Sequence, residues 1–479
     1  MKTRLSRRMF VRGGLLGGAA LGFPSIIPAR VLGQEAPSKK VQVGIIGCGR
    51  IADSMDIPGV WQNKDLATIV ALSDPDVKRM RAMRENTRKR FEGDLPDLKL
   101  YQNYTAMLAD PAVDAVMICT PDHWHAQPCV EAAWAKKDVY VQKPLALSIA
   151  ESKAIVDVVR KTGCVFHLGT QQRSEGRSTH GPQFRKAAEY VQDGRIGRVK
   201  QIEIGLPGEP NEPDWPLEQP VPDTFDYDLW LGCAPLAPFS ELRTHPQGKG
   251  DAADFGRPGW MSIRDYDLGM IANWGAHHID IMQWALGMER SGPVKMESKT
   301  AFPKRRLWDV HGKLDVRMEY ANGTAVHLAD LGTYPNGVRF VGEDGWIFCS
   351  RDTVKATSDV PSASSKPGYW RPLEASAASL IEGDVKKPLT RNTSNHHRPW
   401  FESIRTRQPT NMPVDVAHHS TTACILASIA MTLNRPLAWD PAAERFVDDN
   451  EADAALTRAE RAPYGVHNAL AKTGGRTLG

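Results

Sequence analysis

Between residues 41 and 169 short apolar runs alternate with stretches of helical spacing. The runs are 41–46, 67–72, 113–119, 138–141 and 164–168. Between them, 75–91, a stretch opening near Ala126, and 148–161 read as helices. Such alternation predicts a parallel sheet with helices on both faces. Past residue 169 the pattern changes. Strand-like runs at 199–205, 313–320, 324–331 and 345–349 follow without regular helices between them. They predict a large, mostly antiparallel open sheet with one face on its own helices. Residues 414–433 return to helical spacing. The Pro- and Glu-rich loop 206–222 and the Gly- and Pro-rich loop 235–259 are expected to be irregular and to rim a site. Residues 351–387 read as a polar surface insertion. No internal repeat is visible. The division predicted is 40–169, 170–440, and a tail at 441–479.

The first apolar run breaks into Gly47-x-Gly49-x-x-Ala52 just before a helical pattern. Glycine first allows a tight turn, glycine second lets backbone N–H groups approach a pyrophosphate, and a small third residue lets helix and strand pack closely. The helix then points its positive dipole end at the phosphates. The second run ends in Asp74, where an acid accepts from ribose hydroxyls. These features predict an N-terminal Rossmann dinucleotide-binding domain followed by a C-terminal α+β domain, an α/β protein overall. NAD is favoured by Asp74, and NADP stays open because Arg79 is placed to meet a 2′-phosphate. The fingerprint residues Gly47, Cys48, Gly49, Arg50 and Ile51 join Asp74 as cofactor candidates. Ligands of such sheets bind beyond the carboxyl ends of the strands. The turn Thr120-Pro121-Asp122-His123-Trp124-His125 is therefore expected to line the cofactor, through Thr120, Pro121, His123 and His125.

Composition narrows the partners. Hydrophobic residues make up 41% and charged residues 24% of 479, as in soluble globular proteins. The net charge of +4 is small, and no basic stripe interleaved with aromatics argues for nucleic acid. The N-terminus stands apart. Ser6-Arg7-Arg8-Met9-Phe10 precedes a glycine-rich apolar run, with small residues near Gly33 and Ala36. That is the pattern of a twin-arginine export signal over residues 1–36, cleaved to leave a periplasmic or otherwise exported protein without a stable membrane anchor. No later stretch reads as a membrane span. Seven scattered cysteines without a Cys-x-x-Cys pair suggest neither a disulfide framework nor a zinc ribbon.

The glycine fingerprint, the Thr-Pro-x-x-x-His turn at 120–125 and Gln142-Lys143-Pro144-Leu145 come in an order and spacing that resemble the Gfo/Idh/MocA oxidoreductases. The likeness continues through Asp228-Leu229-Trp230-Leu231-Gly232, Asn273-Trp274-Gly275-Ala276-His277-His278-Ile279-Asp280 and Asn395-His396-His397-Arg398. It covers nearly everything after the signal and looks most like the exported bacterial branch. The resemblance implies that Lys143 holds the reacting oxygen beside the nicotinamide, that His277 accepts a proton, and that Asp280 orients the His277 ring or stands behind it. The family usually has glutamate before the lysine and an acid four residues before the histidine. This chain has Gln142 and Asn273, so Asn273 is left to orient a substrate hydroxyl. Residues 273–286 read as a helical segment, on which 273, 277 and 280 share a face. Gln172, Arg173, Trp230 and His278 complete the expected substrate contacts. Association of subunits through the C-terminal sheet, as a homodimer or homotetramer, is also implied.

Paired histidines at 277–278, 396–397 and 418–419 diverge on a helix and make poor bidentate ligands, so no metal is assigned. The leading functional expectation is an exported NAD(P)-dependent oxidoreductase with tightly bound cofactor, acting on a sugar, sugar derivative or glycoside. Two alternatives follow from the same residues. One is a redox-neutral NAD-dependent glycosidase that oxidises, eliminates and re-reduces. The other is a non-catalytic sugar-binding relative, in keeping with Gln142 and Asn273.

Overall fold

The first apolar run folds as β1, Val41–Ile46, and the strands of its sheet are placed around it. The computed structural model describes residues 40–91, 95–174, 182–250, 252–304, 306–356, 366–389 and 395–472. The export signal expected at 1–36 lies outside these residues. β2 (Ala67–Ser73), β3 (Lys99–Tyr101), β4 (Ala115–Ile118), β5 (Asp138–Gln142) and β6 (Phe166–Gly169) pair in the order β3-β2-β1-β4-β5-β6, all parallel. β3 is a three-residue edge strand with Lys99 exposed, too short and polar to stand out as an apolar run.

Side chains alternate between two apolar layers. Val43, Ile45, Ala115 and Met117 face one side, and Ile46, Val116 and Ile118 the other. The helix Ile149–Thr162 shows why local sequence suffices for some elements. Ser148 and Glu151 form a reciprocal capping box at its start, and Gly163, at φ 67°, ends it. Completion of both layers comes from far along the chain. Trp400, Phe401 and Ile404 of the helix Arg398–Thr406 join the first layer. Val414, Ala417, Val466 and Ala469 join the second. The described residues accordingly form one compact unit.

The second sheet contains β7 (Val199–Leu206), β8 (Pro293–Ser298), β9 (Asp315–Tyr320), β10 (Ala325–Asp330), β11 (Gly337–Gly342) and β12 (Trp346–Cys349). β13 (Val354–Lys355) and β14 (Tyr369–Trp370) make a separate ribbon. β15 (Leu373–Ala375), β16 (Leu437–Asp440) and β17 (Arg445–Phe446) complete nine strands in the order β15-β12-β11-β7-β10-β9-β8-β16-β17. Only β7 and β10 run parallel; every other pair is antiparallel. The inner face, with Ile202, Ile204, Val316, Val326, Leu328 and Phe340, packs on the helices Gly275–Ala285 and Val414–Leu433. The latter is apolar enough by length and composition to cross a bilayer, but 78% of its window is buried within the protein. The outer face carries ion pairs, Glu203–Arg339 at 2.5 Å and Asp315–His327 at 2.9 Å.

Three expectations are corrected. Residues 351–387 are more than a surface insertion, since they supply β14 and β15 and bury Trp370. The stretch from 441 is not merely a tail: β17 extends the sheet, and the helix Val466–Lys472 packs on Ala126–Trp134. Strands of two or three residues show no periodicity, which hides them in the sequence. Finally, 273–286 is not one helix. Met270–Asn273 and Gly275–Ala285 are separated at Trp274, φ −111°, so Asn273 does not share a continuous face with 277 and 280.

Asp280, expected to orient the His277 ring or to stand behind it, is held in a buried clamp. Arg173, just past β6, donates through Nε and Nη2 to its two oxygens at 2.7 and 2.6 Å, and through Nη1 to Glu289 at 2.5 Å. The side chains of Arg173 and Asp280 are 3% and 1% exposed. Removing one partner of such a pair strands a buried charge. Asp280→Asn is therefore expected to lower the unfolding free energy by about 3 kcal/mol or more in denaturant titration. A loss below about 1 kcal/mol would show that the clamp does not carry this junction.

Candidate dinucleotide and substrate cleft

One cleft of about 1570 Å³, counted to its open mouth, runs along the carboxyl ends of β1, β2, β4 and β5. Gly47 and Gly49 line it for different reasons. At Gly47 φ is +91° and a Cβ would lie 2.7 Å from the Cys119 carbonyl carbon, so the turn itself requires glycine. At Gly49 a Cβ would meet nothing closer than the Cys119 oxygen at 3.9 Å. Protein crowding does not explain that glycine; approach of a ligand to the backbone does. The helix begins at Arg50, its first-turn amides have no carbonyl one turn earlier, and Ala52 is fully buried. Residues Ala52–Asp56 form a π-helical turn, a common irregularity near functional sites.

Asp74 is held in place by two amides, accepting from Cys48 N at 2.7 Å and Asp76 N at 2.8 Å. Burial pushes its carboxyl up to about 6, the charge of Asp76 adds to that, and Arg79 opposes it. Each oxygen retains a lone pair for a ribose hydroxyl. Arg79 is buried and already donates to the Cys48 oxygen at 3.1 Å and the Asp254 oxygen at 2.9 Å. Its guanidinium is thus committed to carbonyls, and the residues present fit NAD.

The 120–125 and 143–144 turns meet over this floor. His125 touches the Pro144 oxygen with Nδ1 at 2.6 Å and the Thr120 oxygen with Nε2 at 3.1 Å, tying one turn to the other. Burial first, and then the nearby Lys143 charge, bring His125 down to about 4. Gln142 donates through Nε2 to both oxygens of Asp56, at 2.9 and 2.8 Å, and Asp56 also meets His397 Nε2 at 2.9 Å. With Asp56 fully buried there, a glutamate at 142 would set two carboxylates in contact. Asn273 donates through Nδ2 to Asp267 at 3.0 Å. Lys143, Asn273 and His277 all line the cleft, with Trp230, Trp260 and Trp274.

Of the expected cofactor residues, Gly47, Gly49, Arg50, Ile51, Asp74, Thr120, Pro121, His125 and Lys143 line the cleft. Cys48 and His123 do not. Cys48 is buried and supplies only its amide to Asp74. His123 Nε2 meets the Trp230 oxygen at 3.1 Å, and burial brings this ring down to about 3. Among expected substrate contacts, Asn273 and Trp230 are in the lining; Gln172, Arg173 and His278 are not. His278 sits between Gln172 at 3.3 Å and Asn336 at 3.0 Å and joins helix to sheet, pointing away from its neighbour His277 as adjacent helical residues must. Asp280 is likewise outside, in the Arg173 clamp. Of the two loops expected to rim the site, 235–259 does so through His245, Arg257 and Pro258, whereas no residue of 206–222 lines the cleft. Asp122 lines the cleft and Asp267 lies directly behind Asn273. Neither stands out in the sequence: Asp122 lies inside the 120–125 turn, and nothing local marks Asp267.

Family models match both parts of the chain. An NAD-binding Rossmann-fold oxidoreductase domain matches residues 41–170, and an oxidoreductase-family C-terminal α/β domain matches residues 215–466. The chain belongs to the Gfo/Idh/MocA oxidoreductase family. Among curated relatives, the uncharacterized oxidoreductase YrbE of Bacillus subtilis is 29% identical over 167 residues, 35% of this chain and 44% of that one. Myo-inositol 2-dehydrogenase of Thermotoga maritima is 29% identical over 164 residues, 34% of this chain and 44% of that one. These matches span less than half the length of either relative. Among solved structures, the WlbA dehydrogenase of Bordetella pertussis with NADH and UDP-GlcNAcA superposes with a TM-score of 0.57 at 15% identity, covering 84% of this chain and 99% of that one. Levoglucosan dehydrogenase with NADH and levoglucosan gives 0.54 at 16% identity, covering 84% and 99%. This Gfo/Idh/MocA protein shares their fold, and its first domain is an NAD-binding Rossmann domain.

Asp74 is expected to make cofactor affinity depend on pH. Its folded value is raised above the ordinary carboxylate value of 3.8 to about 6. Its burial therefore costs the empty fold stability as pH rises from about 3.8 to about 6, with the full cost present above that, and the ribose hydroxyls favour the ionised form. NAD binding is expected to weaken as pH falls below that value, by up to about tenfold per pH unit. Isothermal titration across that range checks it, and an unchanged pH dependence in Asp74→Asn would remove Asp74 as the cause.

Proposed function

We propose that this protein is an exported NAD-dependent dehydrogenase that oxidises a carbinol carbon of a sugar, sugar derivative or glycoside, with cofactor tightly bound. The observation that carries this reading is a single cleft. Gly47, Gly49 and Asp74 line it, and the same cleft holds Lys143, Asn273 and His277 together with tryptophan rings. Indole faces suit the apolar faces of pyranose rings. Two relatives, a myo-inositol 2-dehydrogenase and a levoglucosan dehydrogenase, support the same substrate class.

The chemistry that NAD supplies when bound is acceptance of a hydride. Lys143 holds the reacting hydroxyl and offers positive charge to the alkoxide as it develops. His277 takes the hydroxyl proton. Asn273, its amide nitrogen held by Asp267, keeps its carbonyl oxygen for a substrate hydroxyl. The rings of Trp230 and Trp260 add apolar surface to the lining. Export in the folded state through Arg7-Arg8 would carry the cofactor along, which is why tight binding belongs to the reading. Pairing of copies through the outer face of the nine-stranded sheet also belongs to it, and that face would present the Glu203–Arg339 and Asp315–His327 pairs to a partner.

Lys143→Met and His277→Ala are each expected to keep fold and bound cofactor while slowing single-turnover reduction of the nicotinamide about 10²–10⁴-fold. Because both act on one proton transfer, the double variant should lose far less than the product of the singles. Full activity in His277→Ala would sink its assignment as base. Arg7→Lys with Arg8→Lys should accumulate precursor in the cytoplasm by immunoblot of fractions; normal export of that variant would remove the localisation.

A further inference from the structure

Asp122 and Asp267 come from different parts of the chain, the turn after β4 and the loop before Met270–Asn273, and bury their carboxyls against each other. Asp122 is 3% and Asp267 0% exposed. Asp267 is well supplied with donors, the Gly269 amide at 2.7 Å and Asn273 Nδ2 at 3.0 Å. Asp122 is not: its Oδ2 is buried and meets no donor among the described residues. A buried carboxylate oxygen without a donor is costly, and two touching carboxylates are costlier still. A proton between them removes both penalties. The charges facing the pair are Lys143 from the turn after β5 and Glu209 from the 206–222 loop, the latter with Arg257 at 3.9 Å and His311 at 3.6 Å on its far side.

We propose that Asp122 and Asp267 share one proton, and that the single negative charge left on the pair draws the Lys143 side chain into place toward the reacting oxygen. They are positioning residues acting through Lys143, and this role rests on the dehydrogenase reading above. The same arrangement accounts for Asn273: its amide donates to Asp267 without a proton of its own to lose, as an ionised third acid could not.

The pair's charge appears with rising pH. Burial pushes Asp122 up to about 7, with the Lys143 charge and the bond to Asp267 opposing, and pushes Asp267 up further. Below that range the pair carries two protons and no charge; above it, one proton and one negative charge. The hydride step should therefore slow as pH falls through about 7.

Two measurements test this on the full protein with its cofactor. Infrared difference spectra between wild type and Asp122→Asn should show a protonated carboxyl stretch in wild type at neutral pH. Asp122→Asn should lack it, because the new amide donates to an ionised Asp267. Absence of that band in wild type would overturn the shared proton, whatever the substrate. In single turnover, Asp122→Asn should lose the inflection near pH 7, and Asp122→Asn with Asp267→Asn should fall about 10²-fold or more. A double variant with wild-type rate and pH profile would overturn the positioning role. If the band is present and no sugar reduces the nicotinamide, the dehydrogenase reading fails while the shared proton stands.

Discussion

The structure depends on how closely β1 and β4 let their ends approach. Gly47 leaves no room for a side chain, because the backbone of Cys119 and Thr120 fills the place a Cβ would occupy. That contact sets the Thr120 turn directly over the fingerprint. It also fixes the Cys48 amide where Asp74 reads it, and Asp74 in turn steadies the Asp76 amide at the head of Val77–Arg90. His125 then ties the Thr120 turn to Pro144, so Lys143 inherits its place from one close-packed glycine. A widened β1–β4 contact would loosen every one of these steps.

Charge in the cleft follows a second rule: each buried acid is met by an amide, a cation or a proton. Asp56 receives Gln142 and His397; Asp267 receives Asn273 and the Gly269 amide; Asp280 receives Arg173. Gln142 and Asn273, which depart from the motifs the chain resembles, are thus the partners demanded by acids elsewhere. In low dielectric an unpaired carboxylate costs several kcal/mol, so the neutral amide is the physically consistent choice at both places.

The two sheets are also less separate than their composition suggests. Trp400 and Phe401 close one layer of the parallel sheet, and Val414 and Val466 the other. The helix Val414–Leu433 also packs on Ile149–Thr162 and on β8. Residues late in the chain therefore stabilise the cofactor domain, and the cleft lies in a unit whose halves share their cores.

By itself the sequence determined what is local. Apolar runs bounded by turns mark the parallel strands, Ser148 and Gly163 mark a helix's two ends, and the fingerprint with Asp74 marks the dinucleotide site. Lys143, His277, Asn273 and Trp230 were legible through their motifs, and all line the cleft. What the tertiary structure decided is direction and company. His277 faces the cleft while His278 faces Asn336. Arg173 and Asp280 look like site residues in sequence and satisfy each other instead. Asp122 and Asp267 meet only after folding. Short strands such as β15 and β17 likewise exist only because neighbours offer a ladder. Periodicity and motif spacing act along the chain, whereas burial, charge pairing and access to a cleft depend on which distant segments fold together.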